Sequence, residues 1–158
     1  MLNNLTKKIN NLSSKKKIKI GWFDSEQSMI AAVMENGAVI QPTNKMKGWF
    51  SQYDVNKSNN PIVIPARPHK QKTIFENKFK WIKDFKTSLY DNNFDLDKSL
   101  NELGPKFVED YKNIFSSGEY QKLSQFTLMM RDKKGISGDK PLLATGELMN
   151  NISFKVDK

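Results

Sequence analysis

Reaction chemistry needs acids, bases, nucleophiles or metal ligands that can converge, and this chain is short of them. Its 158 residues contain one histidine, His69, and no cysteine. That composition excludes thiol nucleophiles, disulfide scaffolds, Cys-ligated zinc or iron–sulfur sites and multi-histidine metal sites, and it leaves His69 as the one imidazole base that a nucleophile–histidine triad could use. No catalytic group, cofactor or metal is expected, and the chain reads as a non-enzyme. Two carboxylate pairs remain, Asp95 with Asp97 and Glu109 with Asp110, but neighbouring carboxylates on helices ordinarily are solvated or cap helix ends. Gly135-Ile136-Ser137-Gly138, followed by Asp139-Lys140, is the nearest approach to a phosphate cradle. It lacks the P-loop's spacing and trailing Ser or Thr, and it lacks the strand and helix context of a Gly-x-x-Gly nucleic-acid clamp, so it reads as a loop. His69 follows a proline turn and reads as a solvated or hydrogen-bonded imidazole.

Arg67 is the more informative side chain, because only Arg67 and Arg131 stand against 24 lysines. It lies in Pro65-Ala66-Arg67-Pro68, where two prolines restrict the backbone and present the guanidinium rigidly. A fork of donors held this way suits bidentate binding of carboxylate or carbonyl oxygens, within the fold or across a subunit boundary.

Charge is unevenly spread. The net +9 splits into +8 over residues 1 to 79 and +1 over residues 80 to 158. Six of the cations are Lys7, Lys8, Lys15, Lys16, Lys17 and Lys19, so a contact with nucleic acid or an acidic protein is expected there first. A solvated charged face is the plainer alternative, and 16 asparagines beside the 24 lysines point to compositional bias. A small basic nucleic-acid-binding protein is accordingly the rival functional reading. The longest apolar run is residues 29 to 34, far short of the ~20 residues that span a bilayer. A soluble, intracellularly made protein with no membrane contact is expected.

The elements that must position these residues follow from periodicity. Leu2, Leu5, Ile9 and Leu12 mark a short amphipathic helix, making residues 1 to 16 an N-terminal arm and 17 to 158 a single domain. Residues 17 to 23 alternate as a first strand. Asp24 or Ser25 can cap a helix over 26 to 35 that Gly37 ends, with a second strand at 38 to 41. Residues 42 to 60 form a long polar excursion with room for a hairpin and an aromatic island at Trp49, Phe50 and Tyr53. Ile62, Val63 and Ile64 give a strand that Pro65 and Pro68 stop. Phe75, Phe79, Ile82, Phe85 or Lys86, and Leu89 form a stripe that predicts a helix over roughly 71 to 90. A second stripe runs Leu96, Leu100, Leu103, Phe107, Tyr111, Ile114, interrupted by Gly104-Pro105, which predicts two helical pieces. A helix at 120 to 132, a loop at 133 to 141, a turn capped by Thr145 before Glu147 and a closing strand through Ile152, Phe154 and Val156 complete the chain. The class is α+β, a small mainly antiparallel sheet packed against two to four helices.

Two segments carry a family likeness. Residues 31 to 38, Ala-Ala-Val-Met-Glu-Asn-Gly-Ala, followed by Ile64-Pro65-Ala66-Arg67-Pro68, resemble the glutamate-x-glycine and Pro-Ala-Arg-Pro-Phe signature of tailed-bacteriophage virion morphogenesis proteins. Residues 140 to 154, from Lys140-Pro141 through Thr145-Gly146-Glu147 to Phe154, resemble the second signature of that family. The likeness spans roughly residues 17 to 157, departs at His69, where the family commonly has Phe, and places Glu35, Gly37, Pro65, Pro68, Thr145 and Gly146 in signature positions. It implies a structural role in the phage neck, completing the tail or joining head and tail. It also implies the small α+β fold of ring-forming neck proteins. The implied assembly is a homo-oligomeric ring between a portal adaptor or connector and a tail terminator or other tail proteins, with DNA passing through the lumen without sequence-specific contacts. Its implied location is the virion, after assembly in the bacterial host cytoplasm. Leu5, Ile9, Lys15, Lys16, Lys17, Trp49, Phe50, Tyr53 and Arg67 are then the candidate interface residues.

Overall fold

The computed structural model describes residues 16–53 and 60–157. Residues 1 to 15 of the expected N-terminal arm, with Leu5, Ile9 and Lys15, and six residues of the polar excursion lie outside them. In chain order the elements are β1 (Lys17–Gly21), α1 (Ser25–Asn36), β2 (Ala38–Ile40), α2 (Asn44–Ser51), β3 (Ile62–Ile64), α3 (His69–Asp91), α4 (Leu96–Ser117), α5 (Gln125–Lys133), α6 (Glu147–Asn150) and β4 (Ser153–Asp157). The class is α+β, with every strand pair antiparallel. β1 pairs with β4 from Lys17↔Asp157 to Gly21↔Ser153, and β2 pairs with β3 from Ala38↔Ile64 to Ile40↔Ile62.

α4 is the centre of the molecule. Its residues Leu96, Leu100, Leu103, Phe107, Tyr111 and Ile114 are all buried, joined by Phe115. The β1–β4 ribbon lies on this helix, and Tyr111, Phe115, Leu142 and Ile152 form a core that Ile20, Trp22, Met34 and Leu148 close over. Trp22 leaves the strand and turns inward, its indole N–H donating to the Leu148 carbonyl at 2.7 Å.

Two expectations are corrected. Gly104-Pro105 does not divide the second stripe, which is one 22-residue helix with Pro105 inside it. Pro105 removes the N–H that would meet the Asn101 carbonyl, and both residues lie on the exposed face, where solvent can take its place. Gly104 serves the sheet instead, because a Cβ there would collide with the Phe154 ring of β4. The excursion at 42 to 60, read as having room for a hairpin, holds a helix, α2, in its described part. The Thr43 hydroxyl caps it by accepting from the Met46 N–H at 3.3 Å.

α3 and α4 pack as a hairpin joined by the turn at residues 92 to 95, and their contact is unusually polar at that end. The Ser88 hydroxyl and the Asn92 amide both donate to the Glu102 carboxylate, at 2.9 and 2.7 Å, while the buried Ser99 hydroxyl lies within reach of the Ser88 carbonyl. Farther along, Trp81 packs on Phe107 and donates to Asp110 at 2.8 Å.

Candidate functional site

The segments at residues 31 to 38 and 64 to 68, about thirty residues apart, meet at one joint. The Arg67 N–H donates to the Met34 carbonyl at 2.7 Å, tying the loop after β3 to the end of α1. Gly37 adopts φ +72, and a Cβ there would approach the Ile64 carbonyl oxygen to 2.7 Å and the Ala66 nitrogen to 2.9 Å. Glycine is required on both counts, by the left-handed backbone and by the close approach. The Glu35 carboxylate then accepts from the Lys70 and Gln71 N–H groups at 2.7 and 3.1 Å. Pro68, at the cap position of α3, offers no side-chain acceptor, so a carboxylate from α1 meets two of that helix's orphan donors and complements its dipole.

His69 sits beneath this joint, fully buried. Its Nε2 is 3.3 Å from the Ala31 carbonyl, which can only accept, so Nε2 carries the proton. Nδ1 is left to accept from the Tyr111 hydroxyl at 2.8 Å. The ring also packs on Trp22 and Phe115. Burial lowers the His69 pKa, opposed by the Glu35 carboxylate 3.4 Å away, and burial raises that of Tyr111. The pair is a neutral hydrogen-bonded core element, as the plain reading of an imidazole after a proline turn anticipates.

Comparison with protein-family models, with curated proteins and with solved structures finds no match to this chain.

Arg67 is buried and engages its own chain, its Nη1 donating to the Pro65 carbonyl at 3.4 Å beside the Met34 sulfur. Burial and the nearby Arg131 lower its pKa. The bidentate carbonyl-binding role anticipated for Arg67 belongs to Arg131, which sequence reasoning passed over. Arg131 donates to the Gly138, Lys140 and Pro141 carbonyls at 3.0 to 3.2 Å and so ties down the loop after α5. The Gly135–Gly138 stretch is thereby a braced turn.

The remaining candidates sort simply. Trp49, Phe50 and Tyr53 pack together around Phe126 of α5, with centroid separations of 5.1 to 6.1 Å, and Trp49 keeps an exposed edge. Lys16 pairs with Asp97 and Lys19 with Asp157, while Lys17 is exposed at the start of β1. Asp95 caps α4 by accepting from the Lys98 N–H at 3.1 Å, and Asp110 accepts from Lys80 and Trp81. Gly146, with φ +76, occupies the cap of α6, and the Thr145 hydroxyl accepts from the Glu147 N–H at 3.4 Å. No group of three or more metal-ligating side chains occurs among the described residues, and no helix among them is long and apolar enough to cross a membrane.

Sequence reasoning also missed the character of one surface. The stripe that marks α3 is turned outward over its first three members, with Phe75 and Phe79 exposed by 75% and 74% and Ile82 by half, while Phe85 and Leu89 are half-buried. The signal was the polar series on the opposite face, Thr73, Asn77, Asp84 and Ser88, which shares the helical period and packs inward.

Proposed function

We propose that this chain is a structural protein of the bacteriophage neck, completing the tail or joining head and tail as a homo-oligomeric ring between a connector or portal adaptor and tail proteins. One observation carries the reading. The residues of the first signature, Glu35, Gly37, Pro65 and Arg67, interlock as the joint that fixes α1, the β2–β3 ribbon and α3 relative to one another. A motif spent on holding elements at a fixed angle suits a building block that works by shape. The outward apolar face of α3 adds a surface of the kind that marks protein contacts.

The test is a phage genome lacking this reading frame. Full heads and finished tails accumulating apart, and joining when the purified chain is added, is the expected outcome. Joined, infectious particles formed without the protein would exclude the neck role. The rival nucleic-acid reading predicts retention on DNA at low ionic strength that collapses at moderate salt. Two of its six N-terminal lysines, Lys16 and Lys19, are already paired with carboxylates of the same chain.

A further inference from the structure

We propose that the uncovered face of α3 is one half of a head-to-tail contact between copies of this chain, and that its other half is the acidic cleft at the start of α1 on the next copy. The proposal rests on the ring reading above and names the surfaces that would close it.

The donor half is an apolar stripe with a basic margin. Phe75, Phe79 and Ile82 follow one another at helical spacing on the exposed side of α3. The Lys78 ammonium lies 4.9 Å from the Phe79 ring centroid and 5.9 Å from that of Phe75. α3 carries six lysines against three acids. Lys72 pairs with Glu76 and Lys80 with Asp110, whereas Lys78, Lys83 and Lys86 have no carboxylate partner among the described residues.

The acceptor half has the opposite character. Residues 20 to 44 contain no lysine or arginine but hold Asp24, Glu26 and Glu35, in a chain of net charge +9. Glu35 is used in the joint. Asp24, Glu26 and Glu147 line a cleft of about 510 Å³ together with Trp22 and Phe23. Phe23 remains exposed in the cleft, Met29 is exposed on α1 three residues from Glu26 and so neighbours it on the helix surface, and Lys155 lies 4.4 Å from the Phe23 ring centroid. An aromatic stripe edged with lysines therefore meets an aromatic cleft edged with carboxylates, the complementarity that sets register and suppresses wrong partners. The same charges argue against the other occupants. Residues 1 to 15 bring Lys7, Lys8 and Lys15 and no acid, and a second α3 would set lysine against lysine. A contact between two different surfaces is heterologous, and its repetition gives a ring where the rotation closes and an open filament where it does not.

A chain without cysteine permits a direct test. Full-length Phe79→Cys protein mixed with Met29→Cys protein and oxidised is expected to give mixed disulfide dimers, with little dimer from either alone and less as salt rises. Lys78→Glu with Lys86→Glu on the Phe79→Cys chain is expected to weaken the association on the order of a hundredfold. Glu26→Lys with Glu147→Lys on the Met29→Cys chain should restore it. Circular dichroism checks that each variant is folded. Predominant homodimers of Phe79→Cys would overturn the proposal in favour of α3 against α3. An internal disulfide in a chain carrying both Phe79→Cys and Ile9→Cys would overturn it in favour of the N-terminal segment. Rings seen by native mass spectrometry without the Phe79–Met29 cross-link would remove this contact and leave the ring reading standing. A chain that stays monomeric and never cross-links would remove both.

Discussion

α3 and α4 are neighbours of nearly equal length, 23 and 22 residues, and both carry an apolar stripe at helical spacing, yet they use it in opposite ways. α4 buries its stripe at the centre of the molecule. α3 turns Phe75, Phe79 and Ile82 of its stripe outward and packs through Thr73, Ser88 and the Trp81–Asp110 contact. The stripe of one helix holds the fold together, and the stripe of the other is left for something else to cover. Helical spacing states which side chains share a face, but it does not state what that face meets. The inner face of α3 can be polar because its partners are satisfied. Glu102 accepts from both Ser88 and Asn92, and Asp110 from both Lys80 and Trp81, so little desolvation cost is left unmet.

The sharpest way to break this contrast is to cut into each helix. Phe115, 1% exposed, is the anchor of the α4 side. Phe115→Ala is expected to destabilise the protein by ~3–5 kcal/mol in denaturant unfolding, the range for a large aromatic removed from a packed core. Against a total stability of ~5–15 kcal/mol, that is close to loss of the fold. A loss under ~1 kcal/mol would mean that the α4 face is not the core. Gly104→Ala comes next. Alanine favours a helix over glycine by up to ~1 kcal/mol, but the added methyl meets the Phe154 ring, so a net loss of ~1–3 kcal/mol is expected from overpacking. A net gain would show that β4 can move away from the helix.

At the entrance of α3, Glu35→Ala removes the acceptor for two N–H groups and a charge at the helix N-terminus. A loss of ~1–2 kcal/mol is expected, with Glu35→Gln intermediate because it keeps an acceptor and loses the charge. His69 adds a pH dependence. Burial lowers its folded-state pKa, so between that value and the unfolded value of about 6.5 the unfolded chain binds more protons and stability rises with pH. Its contribution is fully present above about pH 6.5 and is lost as pH falls through the folded value. The charged groups facing it are Glu35, which opposes the shift, and Lys70, which reinforces it. Unfolding measured from pH 7 to 5 should show a slope that His69→Phe flattens, although that variant also strands the Tyr111 hydroxyl. Glu102 and Asp157, whose pKa values are lowered from ordinary carboxylate values, titrate below that window.

The helices and strands were legible because their signals are local. Asp24 caps α1, Gly37 ends it, Pro65 stops β3, and the stripe of α3 fixes its extent to within a few residues, whereas that of α4 marks the buried face but not the unbroken run through Pro105. What sequence could not supply were facts about partners far away in the chain. Gly104 reads as a helix breaker until Phe154, fifty residues on, is placed against it. Arg67 between two prolines reads as the forked donor, whereas Arg131 has the carbonyl groups within reach. Glu35 shows no kinship with residues 70 and 71 until the joint brings α1 to the start of α3.

The smallest expected effect decides what the outer stripe of α3 is for. Phe79, three-quarters exposed in the described protein, contributes almost nothing to folding if nothing of its own chain covers it. Phe79→Ala should then leave the unfolding free energy within ~0.5 kcal/mol of the parent, with unaltered circular dichroism. The same substitution removes apolar surface from a contact that only assembly completes, so its cost should fall on association, where buried aromatics carry ~2 kcal/mol or more each. A loss above ~1 kcal/mol in the isolated, dilute chain would mean that residues 1 to 15 lie over the stripe and bury it. The two helices would then be alike after all, each burying its stripe within one chain, and the proposed contact with a neighbouring copy would have no surface left to use.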